Sequence, residues 1–255
     1  MLFRRKDPTR SKPPASTPSG PESIEIMLDG SPIRVHVRRH ALARRLTLRV
    51  RAAARDITLS APPHVPLSSA RDFVERHRDW IRTRLVRLPA AVPFVDGASV
   101  PFRGVPHQIV ATGAVRGTVA AAIRADAPVL LVPGEAPHLG RRVTDFLKRE
   151  ARRDLTAAVR RHAAALGVEI GRITLRDTAS RWGSCSSRGD LSFSWRLIMA
   201  PPIVLDYLAA HEVAHRLEMN HGPAYWRTVE RIFPGRREAE AWLKSRGADL
   251  HRYGA

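Results

Sequence analysis

The stretch His211-Glu212-Val213-Ala214-His215 lies near the carboxyl terminus, and a further histidine, His221, follows six residues later. In an α-helix, residues four apart lie on the same face, so His211 and His215 can direct their imidazoles at one metal ion. The stretch therefore predicts a helix that carries two metal ligands.

Glu212 would lie about 100° further round this helix than His211, beside the metal rather than on it. A carboxylate in that position can take a proton from water that the metal activates. This is the HExxH arrangement of zinc hydrolases, and the mechanism explains its spacing. The pattern therefore predicts Zn²⁺ as the cofactor and Glu212 as the general base.

A catalytic zinc takes three protein ligands and keeps one position open. His221 is the best third ligand, because Asn220 and Gly222-Pro223 should end the helix and let the chain double back. Its spacing from His215 equals that of the metzincins, HExxHxxGxxH, although Glu218 stands where they have glycine. The alternative is a carboxylate from a later helix, as in thermolysin-type sites; the choices are Glu230, Glu238 and Glu240.

The first half of the chain is expected to be a small antiparallel β-rich part of an α+β fold. Apolar residues alternate with polar ones over residues 24–28 and 33–37, on either side of a turn at Asp29-Gly30, which indicates a hairpin. Residues 46–51 alternate in the same way with arginine, so one face of the sheet should be packed and the other strongly basic. From Ser68 to Leu85 the apolar spacing becomes helical, which predicts one helix.

The second half is expected to be mainly helical. A long amphipathic helix should end at Gly167. Two short strands should follow, near residues 173–175 and 191–195, and Pro201-Pro202 should open the helix of the motif. Two more helices are expected at residues 224–232 and 237–246.

The charge of the chain is unusual. The formal net charge of the 255 residues is +19, and nearly all of the positive charge is arginine. Such a field favours polyanions such as nucleic acid or an anionic membrane surface. The arginines are spread along the chain rather than gathered in one block, so solvated arginine-rich surfaces are the simpler explanation.

Cys185 is the only cysteine, so no disulfide can form within the chain, which suits a reducing compartment. No run of 18 apolar residues is present, so no transmembrane helix is expected. The first residues are basic but lack an apolar segment behind them, so a secretory signal is not expected. We therefore expect a cytoplasmic protein.

Several segments around the motif together carry a resemblance to a known family. They are Arg181-Trp182-Gly183-Ser184-Cys185-Ser186, Ser194-Trp195-Arg196-Leu197, Asn220-His221 and Tyr225-Trp226. In this order and spacing around HEVAH they resemble the YgjP-like metallopeptidase family, which has an RWGSCS box, an nWRL strand, an HExxH helix and an NHxxxFW segment. The resemblance is strong over about residues 139–235 and looser over the amino-terminal strands and the Asp79-Trp80-Ile81 helix. Ser194 and Tyr225 stand where the family often has Asn and Phe.

The resemblance implies that His211, His215 and His221 are zinc ligands, that Glu212 is the catalytic base, and that the substrate is a peptide or protein. The family is also similar to SprT-like proteases, some of which act on proteins bound to DNA. The expected organisation is a disordered basic tail at residues 1–22, a β-rich domain with one helix at 23–135, and a minimal zincin-like metallopeptidase domain at 138–255.

Other functions stay open at this point. The same metal site could attack a phosphoanhydride, with arginines holding a nucleotide, although the chain has no glycine-rich phosphate loop. A protein of another class, a nucleic-acid-binding module, would use the basic sheet, alone or within a DNA-associated protease.

Several residues near the motif have more than one possible role. Arg181 and Tyr225 could reach a developing oxyanion, and Asp206 could support a ligand. Cys185 could act as a nucleophile or as a zinc ligand. For each of them a structural role agrees with the sequence at least as well.

Overall fold

The computed structural model describes residues 22–51, 56–86, 90–178 and 180–254. The predicted basic tail, residues 1–22, lies outside this part of the chain except for Glu22. Small sheets precede and separate groups of helices, which confirms the α+β class.

The elements have the following bounds. The strands are β1 (Ser23–Leu28), β2 (Ser31–Arg39), β3 (Thr47–Arg51), β4 (Asp56–Ala61), β5 (Ser99–Phe102), β6 (Val105–Ala111), β7 (Ala120–Arg124), β8 (Ala127–Val132), β9 (Ile173–Arg176), β10 (Gly183–Cys185) and β11 (Leu191–Ser194). The helices are α1 (Leu67–Arg76), α2 (Arg78–Val86), α3 (Leu139–Leu166), α4 (Pro202–Ala214), α5 (Pro223–Ile232) and α6 (Arg236–Arg246). Short 3-10 helices span Ala136–His138, Trp195–Met199 and Gly247–Arg252.

The chain separates into two compact units. One falls within Met1–Arg49 and Ile57–Arg78, and the other within Val50–Asp56 and Asp79–Ala255. This division does not test the three predicted domains at residues 1–22, 23–135 and 138–255, which stay a prediction.

The first sheet has the strand order β1-β2-β4-β3. Its first two strands form the predicted hairpin about Asp29-Gly30, where φ is 48° and 79°, as a two-residue hairpin turn requires. β2 and β4 are parallel, so this sheet is mixed, and the expectation of a wholly antiparallel sheet is wrong. Alternation predicts which face of a strand is buried, but it carries no information about the direction of the neighbouring strand.

The single helix predicted from Ser68 to Leu85 is two helices, α1 and α2, with His77 between them. The His77 backbone N–H donates to the carbonyl of Val74, three residues back, which tightens the last turn of α1. Its ring Nδ1 lies 2.7 Å from the Phe73 carbonyl oxygen. The backbone and the ring of His77 thus bond to carbonyl groups in the last turn of α1, and the helix ends there. The apolar spacing continues into α2, which is why the sequence predicted a single helix.

The second unit contains two sheets. One sheet has the strand order β5-β6-β8-β7. In it β6 and β8 are parallel, whereas β5 pairs with β6 and β7 pairs with β8 in the antiparallel direction. The sheet of order β10-β11-β9 pairs β10 antiparallel and β9 parallel to β11. β9 and β11 are the two predicted strands, whereas β10 lies between them and was not predicted.

Two helices form the centre of the second unit. α3 is 28 residues long and ends at Gly167, which has the left-handed φ of 66° that was predicted for its cap. Its buried stripe packs against α4 and the 3-10 helix Trp195–Met199. The remaining predicted helices are present as α4, α5 and α6. α4 is therefore held in the middle of the core.

No helix within the described residues combines the length and the apolar character needed to cross a membrane.

Candidate metal centre

The candidate site is built on α4, which is buried nearly all round. Its buried residues include Val204, Leu205, Leu208 and Val213. A helix that is apolar on every side belongs inside a core rather than at a surface. Polar groups near its carboxyl end are therefore held by close packing, which restricts their orientation.

The chain reverses direction directly after α4, as Asn220 and Gly222-Pro223 predicted. His215 caps α4, and its Nδ1 donates to the carbonyl oxygen of Glu218 at 3.0 Å. The Gly222 N–H donates to the Asn220 carbonyl at 2.7 Å, and α5 begins one residue later. This short turn brings His221 back to the end of α4.

The three histidines of the motif come together. One ring nitrogen from each of His211, His215 and His221 lies within 4.8 Å of the others. The Nε2 atoms of His211 and His221 are 3.2 Å apart. Two hydrogens between them would repel each other, so at most one of these nitrogens carries a hydrogen. His215 is buried, His211 half-buried and His221 exposed, so the group is open to solvent on the His221 side.

The electrostatics favour the neutral forms of His211 and His215. Burial, followed by the neighbouring His215 and His221, lowers the pKa of His211 to about 3. Burial also lowers the pKa of His215, against an opposing effect of its bond to Glu218. Metal ions bind the neutral imidazole, through a nitrogen lone pair. Three convergent imidazoles fit a metal ion by their donor chemistry.

Glu212 lies beside this cluster and is only 4 % exposed. Burial raises the pKa of its carboxyl group to about 7, although the positive charge of Arg181 works against the rise. Such a group can exist in either protonation state near neutral pH, which is what a general base requires.

Two of the three carboxylates considered as a third ligand have other partners. Glu230 and Glu240 both accept hydrogen bonds from Arg236, at 2.8 and 2.9 Å. Within the described part of the chain, the ligand group that the geometry identifies consists of the three histidines and includes none of Glu230, Glu238 or Glu240.

Two of the other residues considered near the motif, Tyr225 and Asp206, also have defined partners. The buried Tyr225 donates its hydroxyl hydrogen to the backbone carbonyl of His211 at 3.0 Å. This hydrogen bonds to α4 and is not directed at an oxyanion. Asp206 bonds to His162 and Arg161 and supports neither ligand of α4. Burial and the charge of Glu212 raise the pKa of the Cys185 thiol, which disfavours the thiolate that a nucleophile needs.

One further residue, which was not predicted from the sequence, contacts the site. The Tyr207 hydroxyl oxygen is 3.2 Å from His211 Nδ1 and donates to Glu240 Oε1 at 2.9 Å. Tyr207 precedes His211 by four residues, on the same helix face, so its spacing could have identified it.

Comparison with known proteins gives a family for the chain. A family model described as "YgjP-like, metallopeptidase domain" matches residues 44–246. The crystal structure of the metallopeptidase zymogen of Pyrococcus abyssi abylysin matches 40% of this chain and 99% of that chain, with 21% identity and a TM-score of 0.34. No curated protein sequence matches the chain.

Proposed function

The chain belongs to the YgjP-like metallopeptidase family, and we propose that it is a zinc-dependent peptidase with its active site at the carboxyl end of α4. Membership implies a hydrolase that uses a metal ion and acts on a peptide or protein.

One observation carries the proposal: His211, His215 and His221 present nitrogens within 4.8 Å of one another beside a buried carboxylate. Three imidazoles suit zinc better than the oxygen-seeking magnesium or calcium ions. Three protein ligands also leave a fourth position open, as catalytic zinc sites do. We therefore assign the three histidines as the ligands.

When bound, a zinc ion would supply the positive charge that polarises a carbonyl and makes water acidic near neutral pH. Glu212 supplies the proton transfers. Its carboxylate accepts a proton from the attacking water, and the resulting carboxylic acid donates that proton to the leaving amine. The raised pKa of Glu212, about 7 in the protein without metal, agrees with both roles.

The position of β10 favours a peptide over a nucleotide as substrate. β10 is an edge strand of its sheet, and its first residue, Gly183, lies against the Glu212 carboxylate. An extended peptide can pair with an exposed strand edge through its main chain, which would bring a scissile bond to the site. Within the part of the chain that the structure describes, we find no comparable feature in favour of a phosphate ligand.

The test is hydrolysis of a fluorogenic peptide library by the wild type and the Glu212→Gln variant. We expect the variant to retain its metal and to lose activity by about 100-fold or more, because the amide cannot take a proton. Glu135→Gln, which changes an exposed carboxylate elsewhere, is the matched control and should be fully active. Full activity of Glu212→Gln would contradict the role of the base, and hydrolysis of nucleoside triphosphates alone would contradict the peptidase.

A cytoplasmic location stays a prediction, supported by the single cysteine.

A further inference from the structure

A chain of hydrogen bonds leads away from the metal centre to a second carboxylate. Tyr207 on α4 lies with its hydroxyl oxygen 3.2 Å from His211 Nδ1, and the same hydroxyl donates to Glu240 Oε1 of α6 at 2.9 Å. Tyr207 is buried, so water does not compete freely for either hydrogen bond. These hydrogen bonds join His211, a proposed ligand, to the carboxylate of Glu240, which is 29 residues further along the sequence.

The direction of these hydrogen bonds follows from Glu240. Arg236 Nη1 donates to Glu240 Oε1 at 2.9 Å, so this carboxylate oxygen acts as a hydrogen-bond acceptor. The Tyr207 hydroxyl has one hydrogen and gives it to Glu240. Its oxygen therefore faces His211 with a lone pair, and His211 Nδ1 must carry the hydrogen between them.

That assignment decides which nitrogen of His211 can bind a metal. A neutral imidazole with a hydrogen on Nδ1 has its lone pair on Nε2. His211 Nε2 is the atom that lies 3.2 Å from His221 Nε2, on the side of the three-histidine group. In His215, Nδ1 donates to the Glu218 carbonyl, so the lone pair of this ring also lies on Nε2.

We propose that Tyr207 and Glu240 are positioning residues, which hold His211 in the Nδ1–H form with its Nε2 lone pair directed at the metal. The negative charge of Glu240, relayed through the Tyr207 hydroxyl, strengthens His211 as a ligand. This inference rests on the proposed function, because it concerns the affinity of the same three-histidine group for a metal.

The variants Tyr207→Phe and Glu240→Gln test the proposal. Zinc affinity is measured on the full chain by competition with a chromophoric chelator. Tyr207→Phe removes only the hydroxyl, and Glu240→Gln removes only the charge. Each should weaken zinc binding by about 10- to 100-fold.

Glu230→Gln is the matched control. Arg236 binds Glu230 and Glu240 alike, so either substitution removes one carboxylate from the same arginine. Only Glu240 contacts Tyr207. The proposal predicts wild-type affinity for Glu230→Gln, and equal losses for Glu230→Gln and Glu240→Gln would overturn it.

A second measurement reads the position of the hydrogen directly. In ¹H–¹⁵N spectra of the metal-free wild type, the ring of His211 should show the Nδ1–H form, and in Tyr207→Phe the population should shift towards Nε2–H. Unchanged spectra together with unchanged zinc affinity would overturn the inference while leaving a zinc-binding wild type, and with it the proposed function, intact. A wild type that binds no zinc would overturn both.

Discussion

The backbone of Gly183 lies directly against the side chain of Glu212: a β-carbon at position 183 would meet the Oε1 atom and come within 2.8 Å of Cδ and Cγ. Real β-carbon contacts are not that short, so only glycine allows β10 to lie this close to α4. The approach contributes to the burial of Glu212, which is only 4 % exposed.

Gly183→Ala should therefore damage catalysis more than folding. The added methyl group must displace either β10 or the Glu212 carboxylate. We expect a loss in kcat/KM of about 10-fold or more and a loss in unfolding free energy of about 1–3 kcal/mol. Gly235→Ala is the control, because a β-carbon there meets only ordinary contacts of 3.8 and 3.9 Å. Equal kinetics for the two variants would show that the close approach has no catalytic consequence.

The buried carboxyl group predicts a pH dependence of stability in the metal-free protein. Burial raises the pKa of Glu212 from 4.5 to about 7, so the folded protein holds this proton more tightly than the unfolded chain does. The resulting stabilisation is complete below about pH 4.5 and is lost as the pH rises through about 7. Between about pH 5 and pH 8, the wild type should lose about 2 kcal/mol relative to Glu212→Gln, whose amide does not titrate.

Chemical denaturation of the two metal-free proteins across that range provides the measurement. A stability difference that does not change with pH would mean that Glu212 titrates normally and is solvated.

Arg196 should be essential for stability near the carboxyl terminus. It is 5 % exposed, binds the Asp177 carboxylate through two nitrogens at 2.6 and 3.1 Å, and donates to the carbonyls of Leu250 and Tyr253. Burial acts to raise the pKa of Asp177, but the bonds from Arg196 outweigh it and lower the pKa overall. Arg196→Lys cannot reproduce this planar fork and should cost about 3 kcal/mol of unfolding free energy.

The control for Arg196 is an exposed ion pair. Arg141 and Asp145 are both largely in solvent, so Arg141→Gln should change stability by less than about 1 kcal/mol. Thermal denaturation of the two variants compares them, and an equally small effect of Arg196→Lys would count against the anchoring role.

Metal removal should lower the melting temperature of the wild type. A ligand that binds only the folded state stabilises it, by about 4 kcal/mol at 1,000 times its dissociation constant. A chelator should therefore shift Tm downward in the wild type and leave His215→Ala unaffected. Equal shifts in both proteins would point to metal bound elsewhere.

Local patterns were sufficient to predict the helix of the motif and its reversal. The spacing of His211 and His215, the prolines before α4 and the glycine after His221 all act within a few residues, and the structure agrees with each. α3 and its cap at Gly167 were predictable for the same reason.

Contacts between distant segments were not predictable in this way. β10 has three residues, too few to show an alternating pattern, and it is a strand because β11 pairs with it. Glu240 was considered as a metal ligand because it is acidic, yet the packing of α6 directs it to Tyr207 and Arg236. The parallel pairing of β2 with β4 likewise depends on tertiary structure.

The zinc content of the purified protein shows whether His211, His215 and His221 form a metal site. Elemental analysis should give about one zinc per chain in the wild type, and much less in His215→Ala and His221→Ala. His138→Ala, which changes an exposed histidine outside the group, should keep the wild-type content. A wild type without zinc after zinc supplementation, or full zinc in the His215 and His221 variants, would contradict the assignment of the three histidines as the metal site.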